Sequence, residues 1–170
     1  MNQAHLHLLF NHLPILGTLF GLLILAGGYV LKNNTVKRTA LGIFVLSALC
    51  VIPAYLTGEG AEEITESLPG VTENFIEAHE NMANIFLGMA GALGLLSLVA
   101  FFADLKRKKI APILYAITLI VALGTLFFAQ QTGSSGGKIR HTEIRSDVAS
   151  SGVERPGSNN GAEAGDEEDN

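Results

Sequence analysis

Four long apolar runs set the pattern of hydrophobic and polar positions along the chain. They cover residues 13–31, 40–57, 82–103 and 110–129, and none contains Lys, Arg, Asp or Glu. A helix needs about 20 apolar residues to cross the hydrocarbon core of a bilayer, and a soluble helix would carry a polar face. The pattern therefore predicts an all-α integral membrane four-helix bundle. The predicted helices cover about 12–31, 38–57, 72–103 and 110–131.

The segments between these runs differ in charge. Seven of the eleven Lys and Arg residues lie in the two short loops after the first and third runs, where Asp104 is the only acid. The other end of the bundle would carry fifteen of the sixteen acids. Short loops rich in Lys and Arg stay in the cytoplasm. We therefore expect a multi-pass protein of the bacterial inner (cytoplasmic) membrane with both termini periplasmic.

Composition also divides the chain into two regions. Residues 1–145 form the predicted transmembrane domain, and 146–170 have many acids and almost no large apolar side chain, which predicts a disordered acidic tail. A cleaved signal peptide would begin with positive charge, but residues 1–12 contain no Lys or Arg. We therefore expect the first run to be a membrane helix.

The predicted topology places all five histidines at the periplasmic end: His5, His7, His12, His79 and His141. On a helical wheel His79 lies in an apolar stripe with Phe75 and Phe86, so we expect it to point into the bundle. An ionisable side chain at such a depth is a functional candidate, although a core histidine bonded to a carbonyl or carboxylate is the structural alternative.

The other histidines carry weaker predictions. His12 precedes Pro14, which suits the first turn of a helix, and would lie level with His79. For His5 and His7, solvated imidazoles at the interface are an equal alternative. Glycines at 133, 136 and 137 predict a turn that brings His141 back over the bundle, with a plain exit to the tail as the alternative.

The motifs resemble an uncharacterised family of small four-helix bacterial membrane proteins, a domain of unknown function. Its first motif is similar to HPxxVHFPI, and this chain reads HLLFNHLPI, with leucine in place of the first proline. The remaining matches are Thr57-Gly58, His79, the glycines of TGSSGG and His141. Related domains occur beside cytochrome c-type or Rieske-type modules, so the resemblance implies an electron-transfer context and no settled activity.

Three functions remain open from the residues. Two imidazoles on facing helices can ligate b-type haem for electron transfer. A copper, iron or zinc ion is the second hypothesis, because imidazoles suit these metals and acids at the same end can join them. The third is a non-catalytic membrane subunit or anchor without a cofactor, whose tail binds a periplasmic partner. The candidate ligands are His12, His79, His7 and His141, with Glu62 and Glu80 added for a metal ion.

No catalytic residue is predicted. The chain has no nucleophile–base pair, phosphate-binding loop or nucleic-acid signature, and its single cysteine, Cys50, excludes a CxxCH haem attachment. These features favour a redox carrier over an enzyme. The expected partners are the lipid bilayer and a periplasmic redox protein or membrane complex, with no nucleic acid.

Overall fold

Six helices account for most of residues 2–145, the part of the chain that the structure, a computed structural model, describes. No strand occurs in this part, and a short 3-10 turn, Thr142–Ile144, follows the last helix. The predicted tail at 146–170 lies outside the described residues. The helices are α1 Gln3–Phe10, α2 His12–Val30, α3 Asn34–Leu56, α4 Gly58–Glu66, α5 Glu73–Leu105 and α6 Ala111–Arg140.

Four helical segments are long and apolar enough to cross a membrane. They are the stretch Gln3–Val30, which includes α1 and α2, and helices α3, α5 and α6, with mean hydropathy between 2.0 and 2.3. Large apolar side chains face outward, among them Leu95 at 69% exposure and Ile120 at 68%. A continuous apolar exterior is what lipid requires and water disfavours. The all-helical fold with four membrane-compatible helices was correctly predicted.

The four long helices pack as a closed ring. Helix α2 lies between α3 and α6, and α5 contacts the other faces of the same two helices. Small residues allow close approach: a Cβ at Gly21 would meet the Phe44 ring at 2.6 Å, and one at Gly94 would meet Ala48 at 2.5 Å. Phe44 is fully buried between these helices. This close packing fixes how the helices lie against each other, and so determines which side chains meet at each end of the bundle.

The two ends of the ring carry different side chains. At the histidine end, contacts join α1, the last turn of α3, the start of α5 and the end of α6. At the basic end, Arg38 at the start of α3 forms an ion pair with Asp104 at the end of α5. Lys37 lies there over the Tyr29 ring of α2 and near the Tyr115 ring of α6.

Two features differ from the prediction. Helix α4 forms in a segment interpreted as a loop, because its polar composition gives no membrane signal. Helix α6 does not turn at its glycines but continues to Arg140, and the backbone becomes extended only at His141. The predicted glycine turn was therefore wrong. Tertiary contacts override the low helix propensity of this segment, since Gly136 packs on His79 and the Ser135 hydroxyl is 3.2 Å from His79 Nδ1.

Candidate functional site

His79 lies on the inward face of α5. The helix begins at Glu73 after Thr72, whose extended backbone marks the N-cap position. The His79 Nδ1 atom is 3.1 Å from the carbonyl oxygen of Thr132 on α6 and 3.2 Å from the Ser135 hydroxyl. The prediction that His79 points into the bundle is therefore confirmed.

Gly136 allows the His79 ring to lie against α6. A Cβ atom built at Gly136 would be 3.0 Å from His79 Cε1 and 3.1 Å from Nδ1, closer than most real Cβ contacts. A side chain at this position would therefore require the His79 ring to shift by a few tenths of an ångström. The glycine expected to turn the chain instead makes room for an imidazole.

His7 is fixed from the opposite side of the bundle by α1 and α3. Helix α1 is capped at its start, where the Asn2 side chain accepts from the His5 backbone N–H at 2.9 Å. The His7 Nδ1 atom is 2.9 Å from the carbonyl oxygen of Ala54. Ala54 lies in the last turn of α3, where carbonyls have no partner within the helix. The same carbonyl also accepts from the Thr57 hydroxyl at 3.2 Å, so His7 shares this acceptor with a side chain of the α3 C-cap.

The His7 and His79 rings contact each other. Their centroids are 6.4 Å apart and their planes meet at 88°. A carbonyl only accepts, so Nδ1 of each ring is assigned as the donor, and Nε2 is the nitrogen that remains for another contact. Histidines that bind metals usually donate their other ring N–H to a carbonyl or carboxylate in this way. These bonds are those of the structural alternative, a core histidine bonded to a carbonyl, and they are also compatible with metal ligation.

Two carboxyls lie together at the same end. Glu62 is on α4, which packs against α1, and its neighbour Glu80 follows His79 on α5. Burial and the adjacent Glu80 carboxylate raise the pKa of Glu62 above its usual range. The structure therefore brings together the two acids proposed as metal ligands. A cation near them would relieve their repulsion.

The remaining candidate histidines lie apart from the pair. His12 is the first residue of α2 and is exposed, so the ring that meets His79 is that of His7 and not that of His12. His5 is also exposed. His141 follows α6 with its Nδ1 atom 2.8 Å from a Glu143 carboxylate oxygen, and both side chains are largely in solvent.

Several contributors have no sequence signal of their own. The anchors of the pair are main-chain carbonyls of Ala54 and Thr132, which no side-chain motif can reveal. Arg145 was also missed: its guanidinium donates to the carbonyls of Lys138 and Ile139 at the end of α6 and to Gly70 before α5. A basic residue just after a helix is the only hint, because such residues often cap the last carbonyls.

Within residues 2–145, no group of three or more His, Cys, Asp or Glu side chains is arranged to hold a metal ion. The pair itself offers two nitrogen ligands. No protein family model matches the chain, and no characterised protein or solved structure shows detectable similarity to it. The resemblance to the small four-helix membrane family therefore stays a prediction from the motifs.

Proposed function

We propose that the histidine end binds a redox-active metal centre through His7 and His79, and that the protein carries electrons at a membrane surface. One observation supports this most: each ring donates Nδ1–H to a backbone carbonyl from a different helix, which leaves both Nε2 atoms available. Such anchoring fixes the tautomer and the orientation of each imidazole before any ligand arrives.

The centre that we place first is b-type haem. Histidine is an established protein ligand of haem iron, and His7 and His79 would be the two residues that hold it. Their ring centroids are 6.4 Å apart. The haem would supply one-electron chemistry. His7 and His79 would hold it, and the surrounding apolar helices would limit access of water.

A single copper, iron or zinc ion is the second candidate, and the carboxyl pair favours it. Glu62 and Glu80 lie at the same end as the histidines, and their mutual repulsion favours a cation. Two imidazoles with a carboxylate suit several divalent metals. In this case the acids would contribute oxygen ligands or orient the histidines.

We further propose that the histidine end faces the periplasm of a bacterial inner membrane. Support comes from the basic residues around Arg38 and Arg107 at the opposite end, which favour the cytoplasm. The centre would then exchange electrons with a periplasmic redox protein or a membrane complex. A reporter joined after residue 150 should be active only outside the cytoplasm. A cytoplasmic signal would refute this orientation.

Absorption spectra test the centre directly. The protein, purified in mild detergent, should show a Soret band and a shift on dithionite reduction, and His7→Ala and His79→Ala should each lose at least about 90% of the band because axial ligation is lost. His12→Ala and His141→Ala are matched controls, because both side chains are exposed and neither ring contacts His79. These controls should keep the spectrum.

The remaining outcomes separate the candidates. Stoichiometric copper, iron or zinc without a haem band, lost in the His7 and His79 variants, would replace haem by a single ion. Absence of both signals from membrane-extracted protein would refute the metal centre and favour a non-catalytic subunit or anchor. Equal loss in His12→Ala would refute the assignment of the pair.

A further inference from the structure

A groove of about 460 Å³ opens at the basic end of the bundle, far from the histidine pair. It lies between the start of α3, the end of α5 and the start of α6. Three cationic side chains line it, from Arg38, Arg107 and Lys108, together with the Asp104 carboxylate. With one acid against three bases, the groove favours an anion.

The ion pair in the groove fixes one of these cations. Arg38 Nε is 2.8 Å from Asp104 Oδ2, and the Asp104 side chain is only 10% exposed. This contact is an ion pair by distance, without hydrogen-bond geometry between Nε and Oδ2. The guanidinium also has its terminal N–H donors. A guanidinium held in this way is suited to phosphate, which accepts two parallel N–H bonds.

The first residues of α6 close the groove on one side. Ala111 and Pro112 line it at the N-terminal end of this helix. Pro112 has no N–H, and the Ala111 N–H donates to the carbonyl oxygen of Lys108 at 3.0 Å. Arg107 and Lys108 come from the connection immediately before α6, so the positive charge at this point of the groove comes from side chains.

The surroundings of the groove determine what kind of anion fits. Leu105 lines it and is 49% exposed. Ile110 and Ile113 flank the lining residues Ala111 and Pro112 in the sequence, and they are 52% and 59% exposed. A soluble phosphate compound would leave this surface uncovered. A molecule with a phosphate group and long acyl chains would pair its charge with the groove and its chains with the apolar helix faces.

We propose that this groove binds the phosphate of an anionic glycerophospholipid, with Arg38, Arg107 and Lys108 as its ligands. The site is independent of the histidine pair and requires no metal. Bound lipid would bridge α3, α5 and α6 where their ends meet, and so would stabilise the folded bundle by mass action.

Lipid binding to the detergent-purified, delipidated protein tests the proposal. Phosphatidylglycerol should raise the apparent Tm and appear as a bound adduct in native mass spectrometry, whereas phosphatidylcholine and inorganic phosphate should do neither. In Arg107→Gln/Lys108→Gln the apparent affinity for phosphatidylglycerol should fall about tenfold, because each basic residue contributes electrostatic attraction.

A matched variant controls for charge alone. Lys106→Gln/Lys109→Gln removes the same charge from the same connection, but neither residue lines the groove, so its affinity should stay within about twofold of the unmodified protein. Equal loss in both double variants would overturn the proposal in favour of a diffuse basic surface. Equal binding of phosphatidylcholine, or competition by inorganic phosphate alone, would overturn the assignment to an anionic lipid.

Discussion

The two ends of the bundle hold their polar side chains in different ways. At the basic end, side chains pair with side chains: Arg38 with Asp104, and Lys37 with the Tyr29 ring at 4.3 Å. At the histidine end, His7 and His79 are bonded to main-chain carbonyls. At the basic end, deleting one side chain of a pair leaves the other charge without its partner. At the histidine end, the carbonyl acceptors belong to the main chain and cannot be deleted by substitution. The hydrogen bond of a histidine is lost there only if a helix or the ring moves.

The largest expected effect is at the basic end. Arg38→Met should lower the free energy of unfolding by about 2 kcal/mol, because it leaves the poorly exposed Asp104 carboxylate without its partner. The effect stays below that of a fully buried pair since the Arg38 side chain is 37% exposed. Denaturant titration in detergent micelles, followed by circular dichroism, measures it.

A double variant completes this test. Arg38→Met/Asp104→Asn removes both charges and should recover at least half of the lost stability, because no unpaired charge remains. If the double variant is as unstable as the single one, the ion pair does not account for the stability of the basic end. The proposed difference between the two ends would then be wrong for the basic end.

At the histidine end, displacing the His79 ring should have a smaller effect on the free energy of unfolding. Gly136→Ala should lower stability by about 1 kcal/mol, because its Cβ forces the His79 ring off the Thr132 carbonyl, and should weaken the signal of any bound centre. Gly133→Ala is the matched control on the same helix: its Cβ would be 3.7 Å from Ile15, an ordinary contact. It should stabilise α6 by about 0.5–1 kcal/mol.

These two glycine variants are compared by thermal unfolding and by the absorption spectrum. Stabilisation by both, with the spectrum unchanged, would show that His79 tolerates displacement. The histidine end would then not depend on the close contact with α6.

The smallest effect concerns the carboxyl pair. The raised pKa of Glu62 means that the folded protein binds its proton more tightly than the unfolded chain does. Stability contributed by this proton is present at low pH and is lost as the pH rises through the folded-state pKa. Glu62→Gln should therefore stabilise the protein by about 0.5 kcal/mol at neutral pH, and the gain should disappear near about pH 4.

Apparent Tm measured across this pH range checks the prediction, with Glu63→Gln as the control, since Glu63 is an exposed acid on the same helix. A gain that grows toward low pH would contradict the assigned direction. A gain of equal size in both variants would show a general effect of the acidic surface.

The two ends also differ in how much of their structure could be predicted from the sequence. The four long helices follow from apolar runs without charge, and the inward direction of His79 follows from helical periodicity with Phe86. The choice of His7 over His12 as the partner of His79 could not be predicted, because it depends on a contact between His7 and the Ala54 main-chain carbonyl at the end of α3. Helix α4 and the last turns of α6 were missed because tertiary contacts, and not local propensity, hold them.

The anchoring of the histidines on different helices has a mechanical consequence. His7 is bonded to α3 and His79 to α6, two helices on opposite sides of the ring, so a change in the tilt of either helix changes the separation of the rings. Membrane helices respond to a thicker or thinner bilayer by changing tilt. We therefore expect the separation of the two rings to depend on the thickness of the bilayer in which the protein is reconstituted.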